Sequence, residues 1–98
     1  MTYDDLVAIA REFEGQTLET VTGKRFKVGM TPRELFFTPE SSGWGQSDGR
    51  RAHERFVEHY NQTGSLQPSD YARVSRNASY LIALLIAAGA SRTTAPHA

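Results

Sequence analysis

The spacing of apolar positions changes twice along the first forty residues. Between Tyr3 and Glu14, Leu6, Ile9, Ala10 and Phe13 recur at steps of one, three and four, and Asp4, Asp5, Arg11, Glu12 and Glu14 fill the gaps. This pattern predicts an amphipathic helix over about residues 3–14 with its charged side chains in water. Thr2 followed by Asp5 resembles a capping box at its start, and Gly15 marks its end. From Gln16 the period becomes two. Thr17–Val21 is rich in β-branched residues, Thr22-Gly23-Lys24 offers a turn, and Arg25–Met30 sets Phe26, Val28 and Met30 against Arg25 and Lys27. After Pro32, Glu34–Thr38 reads as a third strand stopping at Pro39. Three strands with short connections predict an antiparallel meander with helices on one face.

The second half is helical in pattern. Ser41–Gly49 is a loop with three glycines around the single tryptophan, Trp44. A helix follows to about Gln62, capped by Ser47 or Asp48, with Ala52, Phe56, Val57 and Tyr60 as its buried stripe and Thr63-Gly64 as its end. Pro68-Ser69-Asp70 starts another helix, and Ser75-Arg76-Asn77 either breaks it or lies within it. Tyr80–Ala90 is a run of eleven non-polar residues. About 18–20 are needed to span a bilayer, so the run predicts a helix buried on all sides, in the core or against another chain. The fold class is therefore α+β: an N-terminal helix, a three-stranded antiparallel β-meander, and two to three C-terminal helices packed on one sheet face. Leu81, Ile82, Leu84, Leu85 and Ile86 of the last helix form the core with Leu6, Ile9 and Phe13 and with Phe26, Val28, Leu35 and Phe37. Residues 1–90 make one domain and 91–98 a disordered tail.

Composition narrows the chemistry. The chain has no cysteine, which removes disulfides, Cys-based metal sites and thiol nucleophiles. Its acidic, polar start lacks the pattern of a secretory signal, so a cytoplasmic location is expected. The formal net charge is zero but uneven: residues 1–20 carry −4 and residues 21–98 carry +4. Such asymmetry either marks an anionic partner or reflects an acidic helix packed beside basic strands.

Several motifs fail on spacing. Gly45-Gln46-Ser47-Asp48-Gly49 fits G-x-S-x-G, but no strand leads directly into it and the only histidine beyond the helix that follows is His97 in the tail. His53 and His59 are six positions apart, about 600° of helical rotation, and so point about 120° apart and cannot share an ion. Arg50, Arg51 and Arg55 neighbour Glu54 and Glu58 as a solvated ion-pair face. Around residues 71–82 the Ala72–Val74 spacing is too short for a helix-turn-helix, leaving Arg73, Arg76, Asn77 and Ser79 as the polar positions there. Asn61-Gln62-Thr63 and Asn77-Ala78-Ser79 match the glycosylation sequon by chance.

Two features suit an anion. The loop glycines allow backbone N–H groups to approach a ligand ahead of a helix N-terminus, where Arg50 and Arg51 are mildly unfavourable unless a negative group lies near. Lys24, Arg25, Lys27 and Arg33 make a basic hairpin, and Trp44 or Tyr71 offers a ring on which an unpaired base can stack. The expected nucleic-acid or anion contacts are thus Lys24, Arg25, Lys27, Arg33, Trp44, Arg50, Arg51 and Arg76. No clustered acid–base groups indicate an enzyme, and no cofactor, metal or membrane contact is implied. The expected function is a non-catalytic nucleic-acid-binding accessory or regulatory module. The competing expectation is a protein-interaction or homodimerising module that uses the apolar last helix or the Trp44 loop.

Overall fold

The computed structural model describes residues 1–92; 93–98, most of the expected tail, lie outside the described residues. The order of elements is α1 (Tyr3–Phe13), β1 (Thr17–Glu19), β2 (Arg25–Met30), β3 (Leu35–Pro39), α2 (Arg50–Thr63), a 3-10 turn at Pro68–Tyr71, and α3 (Ala78–Arg92). The architecture is α+β with an antiparallel sheet ordered β1-β2-β3. No helix among the described residues is long and apolar enough to cross a membrane.

α1 forms where the sequence places it. The Thr2 hydroxyl accepts from the Asp5 N–H at 3.1 Å and the Asp5 carboxylate accepts from the Thr2 N–H at 2.8 Å, completing the capping box. At its far end Gly15 takes φ 80°, and its N–H donates to the Val28 carbonyl at 2.8 Å, tying the helix exit to β2. β1 is two residues shorter than its composition predicts. Thr20 closes the turn early: its N–H donates to the Lys24 carbonyl at 2.8 Å and its hydroxyl accepts from the Lys24 N–H at 3.0 Å. The β2–β3 turn is built similarly around Thr31, whose hydroxyl accepts from Arg33 and Glu34.

The register pairs Val28 with Phe37, Gly29 with Phe36 and Lys27 with both Thr17 and Thr38. Alternation then sends Phe26, Val28, Leu35 and Phe37 to the inner face, against α1 and α3. Phe26, Phe37 and Tyr80 meet there with ring centroids 4.8–5.6 Å apart. α3 is the centre of this core: Leu81, Ile82 and Leu84 are fully buried, and Ala83, Leu85 and Ala88 nearly so. Ile86 is an exception to the expected all-round burial. It is 41% exposed, because the helix stays at the edge of the globule on that side rather than threading through it.

Candidate nucleic-acid interface

The loop between β3 and α2 organises the polar surface. It is not a free tether: the Glu40 N–H donates to the Arg25 carbonyl at 2.9 Å, and the Gly43 N–H donates to the Pro39 carbonyl at 2.8 Å. Phe37 and Gln46 exchange two backbone hydrogen bonds of 2.9 and 2.7 Å, so the loop runs back along β3 and covers its edge. Trp44 stands out from this loop with 77% of its surface exposed.

The loop is bordered by bases. On one side Gly23, Lys24 and Arg25 join Glu40 and Ser41 around an open cleft of about 450 Å³. On the other, Arg76 and Asn77 join Gly45, Gln46 and Ser47 around a cleft of about 400 Å³. Lys27 lies on the adjoining solvent face of β2, and Arg50 and Arg51 are exposed in the first turn of α2 directly after the loop. Arg33 is set apart. It lies on the β2–β3 turn at the other end of the sheet, where Arg11, Arg33 and Arg50 line a cleft with Tyr3, Asp4 and Glu34.

Three of these cations have carboxylate neighbours at 3.6 Å: Arg25 with Glu40, Arg50 with Glu54, and Arg76 with Asp48. The Arg50 guanidinium also lies 4.6 Å over the Tyr3 ring. The Arg25 and Arg50 pairs are exposed on both sides and contribute little to stability, while Arg76 is exposed and its Asp48 partner is buried.

Neither Ser47 nor Asp48 caps α2 as expected. The N-cap is Gly49 at φ 86°, which supplies no side-chain acceptor. Ser47 donates to a Glu34 carboxylate oxygen at 3.3 Å and accepts from the Gly49 N–H at 3.1 Å. Asp48 reaches instead across the fold. One carboxylate oxygen accepts from the Ser75 hydroxyl and from the N–H groups of Arg76 at 2.8 Å and Asn77 at 3.4 Å. That contact breaks the chain at 75–77 before α3 begins, and it places Arg76 beside the loop. Burial works to raise the Asp48 pKa, but the bonds from Ser75, Asn77 and Arg76, with the Arg76 charge, outweigh it and hold the carboxyl below its ordinary value.

Of the other residues weighed in the sequence, Tyr71 cannot act as expected. Tyr71 is fully buried, with its hydroxyl donating to the Ser65 carbonyl at 2.7 Å and its ring 4.6 Å from Phe56, so no base can stack on it. Asn77 is buried at the junction before α3, its carbonyl accepting from the Tyr80 and Leu81 N–H groups. His53 is fully buried with neither ring nitrogen hydrogen-bonded, facing Phe37, while His59 lies edge-on to Tyr71. Ser47 and His53 do not meet. Among the described residues no three His, Asp or Glu side chains gather as a metal set.

Phe36 was the feature not singled out from the sequence. It lies on the solvent face opposite Gly29, half-buried, with its ring against Gly29 and Gly45. The signal was present in the alternation: Leu35 and Phe37 point inward, so an aromatic between them points outward.

The class these observations define is a small α+β domain with an open sheet face and a base-bordered Gly-rich loop. Comparison with known protein families, curated proteins and solved structures yields no match to this chain.

Proposed function

We propose that this protein is a non-catalytic nucleic-acid-binding accessory or regulatory module that grips phosphates around the Gly40s loop. The observation that carries the reading is the placement of bases on both flanks of that loop, Lys24 and Arg25 on one side and Arg76 on the other. Lys27 extends the first group along β2, whereas Arg50 lies in the cleft it shares with Arg33 at the other end of the sheet, with Arg51 beside it in the first turn of α2. The absence of a side-chain cap on α2 adds to this, since N–H groups of an uncapped first turn favour an anion. Arg33 takes no part in the main contact. Binding is largely electrostatic and sequence-tolerant in this reading, and a cytoplasmic location goes with it.

The test is fluorescence anisotropy of a labelled single strand and a labelled duplex at 50 and 200 mM salt, both chosen as experimental conditions around the range where counterion release is read. Release of counterions from four to six phosphates should weaken binding by about 10²–10³ between the two salts. Lys24→Glu combined with Arg76→Glu should reduce both the affinity and the salt slope. An absence of binding at the lower salt refutes the proposal.

A further inference from the structure

Resting on that reading, we propose that the ligand is single-stranded nucleic acid, whose unpaired bases stack on Phe36 and Trp44 while Lys27 and Lys24 follow its backbone.

Phe36 sits on the face of the sheet that no core side chain needs. The same face carries Thr17, Glu19, Arg25, Lys27 and Thr38, and Glu34, two residues before Phe36, accepts from the Ser47 hydroxyl. The ring lies flat against two positions without side chains. At Gly29 a Cβ would collide with its distal carbons, and at Gly45 a Cβ would come within 3.2 Å of it. Glycine at both places makes room for the ring, which remains half-buried on the solvent side of the sheet. Gly45 also adjoins Trp44 in the chain, whose side chain is 77% exposed.

The lysines of this face are the charges left for a phosphate backbone. Arg25 is balanced by Glu40 at 3.6 Å and lies opposite Glu19. Lys24 and Lys27 have no ion-pair partner among the described residues and remain to meet phosphates. The two rings decide between ligand forms. In a duplex the base faces are already stacked on one another and only their edges are presented, whereas every unpaired base offers a face to an aromatic ring. A platform of rings and lysines on an open sheet therefore suits an unpaired strand.

Trp44 is the single tryptophan of the chain, so its emission reports on stacking directly. The experiment titrates the whole protein with a mixed-sequence single strand of about a dozen nucleotides and with the matching duplex at one moderate salt. Stacking predicts strong quenching of Trp44 by the single strand and at least about tenfold weaker binding of the duplex. Phe36→Leu keeps an apolar cover over Gly29 but removes the ring. It should weaken single-strand binding about tenfold with the salt slope unchanged, whereas Lys27→Ala should lower the slope. Equal binding of duplex and single strand without quenching overturns the single-strand inference while leaving the phosphate-binding reading in place. Failure of both ligands to bind overturns the two together, and circular dichroism of Phe36→Leu separates lost stacking from lost fold.

Discussion

At the scale of single residues, the strongest departures from ordinary chemistry are polar groups folded into the core. His53 is enclosed with both ring nitrogens unpartnered, and burial lowers its pKa from 6.5 despite the pull of Asp48 and Glu34 in the opposite direction. The sign of its effect on stability follows from proton counting. Above pH 6.5 the imidazole is neutral in both folded and unfolded chains, and its contribution is constant. As pH falls below 6.5 the unfolded chain takes up the proton first, so stability declines until the folded pKa is reached. Asp48 acts in a separate window, because its depressed pKa preserves stability until the pH drops below its ordinary value of 3.8. Urea unfolding followed from about pH 7.5 to 5 should therefore show a decline of at most about 1.4 kcal/mol per pH unit from this group. His53→Leu should flatten that decline, and an unchanged slope in the variant would assign the effect elsewhere. His53 precedes Phe56 by three positions and Val57 by four, so helical spacing alone puts it on the inward face. What the spacing does not give is the absence of a hydrogen-bond partner for either ring nitrogen, with Phe37 of β3 as the neighbour there.

At the scale of elements, the pairing of Gly29 with Phe36 couples two strands across the solvent face. A methyl group at Gly29 meets the end of the Phe36 ring, which must shift to admit it. Gly29→Ala should therefore cost about 1 kcal/mol in the native protein. In a Phe36→Ala background the collision is gone, and alanine's better fit to a strand should make the same change neutral or stabilising. A double-mutant cycle by chemical denaturation measures this as a coupling of at least about 0.5 kcal/mol, and simple additivity would mean the ring does not rest on Gly29. Elements of this kind were legible to different extents. α1 and β2 follow from periodicity alone, since capping and alternation act within a few residues. The early end of β1 depends on the Thr20 side chain rather than on strand propensity. The break before α3 depends on Asp48, which is 27 residues from Ser75 in sequence. Local patterning could suggest that break at Ser75-Arg76-Asn77 but could not decide it, because its cause is a distant carboxylate.

At the scale of the whole molecule, the site was legible as residue types and the assembly of those residues was not. Lys24 and Trp44 read separately as a basic hairpin and a Gly-rich loop. The hairpin is brought against the start of that loop, with Lys24 beside Glu40 and Ser41, because β2 pairs with β3 and the Glu40 N–H reaches the Arg25 carbonyl. Arg33, grouped with the hairpin by sequence, is carried to the other end of the sheet by the same pairing. The same global view bears on self-association through α3. An apolar helix invites a partner only with the surface it leaves uncovered. Leu81, Ile82, Ala83, Leu84, Leu85 and Ala88 are spent inside the chain, and among the described side chains of the apolar run Ile86 is the large one still facing water. One exposed isoleucine is far less than a stable homodimer interface requires. Ile86→Lys should consequently change stability by no more than about 0.5 kcal/mol, while Leu84→Ala, at a fully buried position, should cost about 2–5 kcal/mol. Sedimentation equilibrium should give the monomer mass for both the native chain and Ile86→Lys. A dimer that Ile86→Lys dissociates would instead make the α3 edge an interface and shift the protein toward the assembly role.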